Sequence, residues 1–183
     1  AQVKADRGFR AVVITGAGGH FSAGGDVRGM AEAKDRSADD WRARMRDVNR
    51  MMRDLILLDR PVIAAVDGAA YGGGFSVALA ADMVIATPRA RFCMPFLKIG
   101  LVPDCGATFT LPRAVGPQKA RELMLSAREV PAQEAQELGI VMELHEAPRL
   151  VPRALEIADS LANASPLALS LVIAVGLVLI GRG

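Results

Sequence analysis

Two glycine-rich segments, Phe21-Ser22-Ala23-Gly24-Gly25-Asp26 and Tyr71-Gly72-Gly73-Gly74, carry the residue types best suited to chemistry in this chain. Each follows a short apolar run and is expected to open a helix, where the first backbone N–H groups have no intrahelical partner. Two such sets of amides brought together could hold an oxygen that gains negative charge during a reaction. A base must accompany them, and Asp104, in Leu101-Val102-Pro103-Asp104-Cys105-Gly106, is a candidate. A turn residue or helix N-cap is the ordinary role for an Asp after Pro.

Other groups carry weaker signals. Ser76 with His20 or His145 would make a nucleophile and a base, but the G-x-S-x-G turn is absent. Cys105, beside Asp104, either lines a pocket or, as the ordinary role, is a buried small hydrophobe. Asp26 reads as a helix N-cap. Arg28, Lys34 and Arg36 follow the first glycine loop and would either meet phosphate groups or form a solvated helix face. Gly16-Ala17-Gly18-Gly19 fails as a dinucleotide fingerprint, because Phe21 follows where the third glycine should be, and no Gly-Lys-Ser/Thr completes a phosphate loop.

These residues need elements to position them, and 183 residues, 51% of them apolar, suffice for a core without staples. A net charge of +2, with Arg, Asp and Glu interspersed, leaves no basic block for nucleic acid. Cys93 and Cys105 form no C-x-x-C pair, so neither a disulfide nor a metal site is expected, and a reducing cytoplasm is the default compartment. The N-terminus has no apolar core of a leader, which implies that a targeting signal is absent or removed. The apolar run from Leu167 to Ile180 is shorter than the roughly 20 residues of a spanning helix. It is expected to be buried or to contact another subunit, with no membrane as partner.

Arg10–Thr15 and Pro61–Val66 read as buried strands, with an amphipathic helix over Trp41–Leu58 between them. A helix is expected from Gly73, then strands over Met83–Ala86 and Arg91–Met94. Helices are predicted over Pro117–Leu125 and Pro131–Leu138, a strand over Ile140–Met142, and helices over Pro152–Leu161 and Pro166–Ile180. The first part alternates strand with helix, which implies an α/β domain.

The blocks Ile14-Thr15-Gly16, Phe21 to Asp26, Ala64-Ala65-Val66-Asp67-Gly68-Ala69-Ala70-Tyr71-Gly72-Gly73-Gly74, Leu97 to Asp104 and Leu111-Pro112-Arg113-Ala114-Val115-Gly116 together resemble the enoyl-CoA hydratase/isomerase (crotonase) family. The resemblance implies an α/β spiral of ββα units with C-terminal helices. It divides the chain into a spiral core over 1–125, its N-terminal part incomplete, and a helical region over 126–183 that builds homotrimers or dimers of trimers. It also implies an acyl-CoA thioester as ligand, with no metal and no cofactor beyond the coenzyme A of the substrate. By the same resemblance the oxyanion hole falls on the Ala23 and Gly73 amides. The substrate-contacting set is Ser22, Ala23, Gly24, Asp26, Val27, Gly72, Gly73 and Phe96.

Hydratases of this family carry two glutamates, one after the triple glycine and one after the proline of the next strand block, because water addition needs two proton-handling groups. Here those positions hold Ser76 and Phe96. The family's isomerases resemble this chain in placing an Asp or Glu after the later proline, at Asp104. A 1,3 proton shift needs one base, so the expectation is an enoyl-CoA isomerase with Asp104 as catalytic residue. A hydratase of the same family and a silent CoA-binding subunit are the alternatives.

Overall fold

The computed structural model describes residues 3, 6, 8–26, 29 and 37–178. Its centre is a parallel sheet in the order β1-β2-β4-β7, formed by Val12–Thr15, Val62–Val66, Met83–Ala86 and Glu143–Leu144. Every residue of β2 is buried, as expected of a strand covered on both faces. On one face Ile63, Ala65 and Ile85 meet Leu150, Ala154, Ile157 and Ala158, one stripe of the helix Ala147–Ala162. On the other face Ala64, Val66 and Ala86 join the larger core around Phe75 and Phe92, whose ring centroids lie 5.2 Å apart.

A second, smaller sheet runs β3-β5-β6, from Ala69–Tyr71, Arg91–Cys93 and Glu129–Pro131, with β3 parallel and β6 antiparallel to β5. The helices, in chain order, are α1 (Ala38–Ile56), α2 (Gly73–Leu79), α3 (Ala107–Val115), α4 (Pro117–Ser126), α5 (Ala132–Glu137), α6 (Ala147–Ala162) and α7 (Pro166–Val178), with a 3₁₀ turn over Pro95–Ile99. Helix α1 starts three residues before the expected Trp41, because Ser37 and Asp40 form a reciprocal capping box.

Three predicted boundaries differ from the observed ones for identifiable reasons. The strand expected over Ile140–Met142 begins instead at Glu143. The N–H groups of Ile140 and Val141 turn back to Ala135 O, 2.8 and 3.1 Å away, so they cannot enter the ladder. The helix expected from Pro152 begins at Ala147; Pro152 lies inside it on an exposed face, where its missing N–H costs no buried bond. Strands β3 and β6 and helix α3 have no counterpart in the expected elements: the strands are three residues long, and α3 contains Pro112 and two threonines. Among the described residues no single helix is long and apolar enough to cross a membrane, and α6 with the first part of α7 is bent by 109°.

Arg60, at the entrance to β2, is 5% exposed. Its Nη1 lies 2.9, 2.8 and 2.9 Å from the carbonyls of Val3, Asp6 and Phe9, and its Nε donates to Asp59 Oδ1 at 3.0 Å. One buried guanidinium therefore ties the N-terminal segment to the central sheet. Arg60→Met leaves three carbonyls without their donor, and urea unfolding should show a loss of about 2 kcal/mol. An unchanged midpoint would mean that the segment contributes nothing to the sheet's stability.

Candidate active site

The segment after β1 returns to the molecule at Phe21 and runs beside β3. Phe21 N and Ser22 N both donate to Ala69 O at 3.1 and 3.0 Å, and Tyr71 N donates to Ser22 O at 2.9 Å, so Ser22 bridges Ala70 in parallel register. This pairing lays Ser22–Gly25 against Gly72–Gly74. The approach is too close for side chains: a Cβ on Gly24 would lie 2.8 Å from Tyr71 O and 3.1 Å from Gly73 N. A Cβ on Gly74 would lie 2.3 Å from Ser22 O. Gly72, at φ 53° and ψ −123°, takes a conformation that favours glycine and turns β3 into α2.

The two loops form the floor of a cleft of about 310 Å³. Its walls come from α1 (Arg44, Met45, Val48, Met51), from α2 (Val77) and from the segment over residues 95–105, including Phe96, Ile99 and Leu101. Ser22, Ala23, Gly24, Gly72, Gly73, Phe96 and Asp104 all line this cleft. Among the described residues neither Ala23 N nor Gly73 N donates a hydrogen bond. Asp26 is absent from the wall; its carboxylate accepts from Gly29 N at 3.0 Å, the geometry of an N-cap. Val27, Arg28, Lys34 and Arg36 lie outside the described residues. A second hollow of about 360 Å³, between Phe9, Arg60 and Leu167, holds none of the candidate residues.

Asp104 stands half-buried at the turn into α3. That helix is capped by Gly106 with no side-chain bond, so the carboxylate is not spent as an N-cap. The turn itself is tight: Cys105 sits at φ 52° and Gly106 at φ 77°, and a left-handed cysteine is uncommon. This conformation brings Cys105 Sγ to 3.6 Å from where a Cβ on Gly73 would be. Burial pushes the Cys105 thiol up to about 12, and the hydrogen bond to Asp104 and its charge push the same way. The thiol is therefore protonated at neutral pH and is no nucleophile.

Ser76 is fully buried in α2 and is not part of the cleft wall. Its hydroxyl lies 3.2 Å from Gly72 O and 3.3 Å from Asp104 O, so one proton is shared between the glycine loop and the backbone of Asp104. His20 Nδ1 accepts from Ala69 N, and His145 pairs with Glu143 at 2.7 Å; neither bonds Ser76 nor lines the cleft. The nucleophile-and-base arrangement is thus not assembled. Phe96 packs beneath Gly72, its Cζ 3.7 Å from a Cβ built there, and fills part of the wall with a ring.

The α1 wall was not legible as such. Met45 and Val48 belong to an apolar stripe that reads as core, yet Met52 is the helix's one buried residue and Met51 is 53% exposed. A stripe facing a cleft and a stripe facing a core have the same period.

A family model described as enoyl-CoA hydratase/isomerase matches residues 1–175. The chain belongs to the enoyl-CoA hydratase/isomerase family. Carnitinyl-CoA dehydratases of Proteus mirabilis and Escherichia coli K12 are each 39% identical to it over 166 residues, 90% of this chain. The chain spans 62% of the length of these curated relatives. An enoyl-CoA hydratase/isomerase structure from Cupriavidus metallidurans is 48% identical, with a TM-score of 0.87 over 94% of this chain and 64% of that one. An enoyl-CoA hydratase structure from Polaromonas sp. JS666 is 33% identical, with a TM-score of 0.91 over all of this chain and 71% of that one. This chain accordingly has the crotonase-type α/β fold that its motifs implied.

For this member of the enoyl-CoA hydratase/isomerase family the two adjacent glycines make opposite predictions. Gly73→Ala meets nothing nearer than 3.6 Å and starts a helix, so it should melt within a few degrees of the parent. Gly74→Ala drives a methyl into Ser22 O and should cost about 2 kcal/mol or more in thermal or urea unfolding. Equal melting temperatures for the two variants would contradict the close approach of the loops.

Proposed function

We propose that the cleft binds an acyl-CoA thioester and acts as an enoyl-CoA isomerase, with Asp104 as the base. One observation carries the reading: Asp104 is the sole carboxylate among the described residues of the cleft wall, while Ser76 is buried behind it and Phe96 is apolar. In this mechanism the thioester carbonyl oxygen accepts hydrogen bonds from Ala23 N–H and Gly73 N–H. Asp104 removes a proton from C2 of a 3-enoyl thioester, and the electron pair moves into the carbonyl to give a dienolate. The protonated Asp104 then returns the proton to C4 as the double bond settles between C2 and C3. Atoms balance with one carboxylate and no water. Fixed amides facing an oxygen that becomes negative typically contribute about 3 kcal/mol each to the transition state. Ser22 and Gly24 shape the floor. The mechanism asks for no metal and for no cofactor beyond the coenzyme A of the substrate.

Hydration or dehydration is the second reading, favoured by the 39% identity to proteins named carnitinyl-CoA dehydratase. It would require Asp104 to handle both the α-proton and the water, without a second carboxylate among the described residues of the wall. The two readings separate when 3-enoyl-CoA and 2-enoyl-CoA are incubated with the protein in deuterated water. Double-bond migration without 3-hydroxyacyl-CoA supports the isomerase; water addition at a comparable rate supports the hydratase. Asp104→Asn should lower the isomerisation rate by about 10² to 10⁴ while acyl-CoA still binds. Near-parental turnover in that variant would remove Asp104 from the mechanism.

Self-association as a homotrimer or dimer of trimers belongs to the same proposal. Leu167, Leu171 and Val172 are 68, 55 and 73% exposed on α7, a concentration of apolar surface suited to a subunit contact. Sedimentation should give a mass of three or six chains. A soluble monomer at micromolar concentration would contradict it.

A further inference from the structure

Among the described residues the polar side chains of the cleft wall are Ser22, Arg44, Asp104 and Cys105. Three of them are engaged where they stand. Ser22 Oγ accepts from Gly24 N at 3.2 Å, and the Asp104 carboxylate acts on the Cys105 thiol beside it, holding its pKa up. Arg44 differs: among the described residues its guanidinium has no hydrogen bond and no ion pair. The acids that precede it on α1 are taken by others, since Asp39 pairs with Arg42 at 2.8 Å and Asp40 accepts from both the N–H and the hydroxyl of Ser37. Asp47, one turn later, makes no ion pair with it, and neither does Asp104 across the cleft.

Arg44 continues the stripe of Met45, Val48 and Met51, so it places one cation on a wall that is otherwise apolar along α1. It is exposed, so its guanidinium is solvated where it stands. A planar guanidinium with five donors fits a carboxylate or phosphate through two parallel bonds, and such charge-assisted pairs are about twice as strong as neutral ones. A ligand that fills the cleft covers Arg44 and lowers the local dielectric. An anion opposite Arg44 is then rewarded, and a cationic group is rejected.

We propose that Arg44 is a specificity residue that pairs with an oxyanion carried by the thioester ligand, resting on the reading of this cleft as a thioester site. The oxyanion is a carboxylate at the far end of the acyl chain, since Arg44 stands on the apolar wall of Met45, Val48 and Met51 that suits an acyl chain.

Binding of saturated, unreactive thioesters tests this apart from catalysis. The probes are valeryl-CoA and glutaryl-CoA, of equal chain length, and the same two acyl groups on N-acetylcysteamine, which has no phosphate. Affinities are measured by calorimetry for the parent chain, Arg44→Gln and Arg44→Lys. If Arg44 pairs with an acyl carboxylate, Arg44→Gln weakens both glutaryl thioesters about tenfold and leaves both valeryl thioesters unchanged. Arg44→Lys then recovers part of the loss, because the charge remains and the fork does not. A loss of about tenfold on both CoA thioesters and on neither N-acetylcysteamine thioester would place Arg44 on the coenzyme A portion and overturn the proposal. Equal losses on all four probes, or no loss on any, would overturn the proposal. Failure of the parent chain to bind any of the four would instead overturn the thioester-site reading beneath it. Arg44 is exposed, so both variants should keep the parent's circular dichroism spectrum and melting temperature.

Discussion

Everything at the cleft depends on a backbone contact that side chains would forbid. Ser22 exchanges main-chain hydrogen bonds with Ala69 and Tyr71, and the bare Cα atoms of Gly24 and Gly74 let two loops meet at van der Waals distance. The loops are about fifty residues apart in sequence, and the small sheet built on β3 holds them in register. Without that contact Ala23 and Gly73 would have no common space to face. With it, Ala23 and Gly73 line one cleft, as the proposed stabilisation of developing negative charge by their amides requires.

The second determinant is where the acidic groups are and are not. Ser76 occupies the buried flank of α2 and spends its hydroxyl on two carbonyls, Gly72 O and Asp104 O. It thereby joins the turn that presents one floor amide to the turn that presents the carboxylate. Phe96 fills its stretch of wall with a ring. In the proposed reading, proton chemistry on the described wall falls to Asp104, with a protonated thiol beside it. This is why a one-base reaction accounts for the site with fewer groups than hydration does, even where the relatives are named dehydratases.

Much of this was legible in residues 21–26, 71–74 and 101–106, because glycine at a close approach and Asp in a turn leave compositional marks that a core position does not. The larger strands and the amphipathic helix were readable for the same reason: β2 is a continuous apolar run and α1 has a sharp stripe. What escaped was set by tertiary pairing. Strand β3 is three residues long and exists because Ser22 and β5 flank it. The C-terminal turn of α5 shifted β7 by using the amides of Ile140 and Val141. Asp26 shows the limit of motif reasoning, since its place in the glycine block suggests ligand contact while its carboxylate caps Gly29. The α1 wall, Arg44 included, could not be separated from core packing by period alone.

The parallel pairing of β1 with β2 has a kinetic side. Val12 meets Val62 and Thr15 meets Ala65, so the ladder closes only after the chain between them has crossed over the sheet. Such non-local closure is slow, because its loop entropy is lost before the contacts that reward it have formed. The floor of the cleft lies beyond that closure, on the segment that leaves β1 and on the turn that leaves β3. The cleft is therefore assembled late in folding, when the sheet is already zipped. A chain arrested earlier can hold most of its helices and still lack the cleft floor, so an assembled cleft reports the completeness of the fold rather than its helical content.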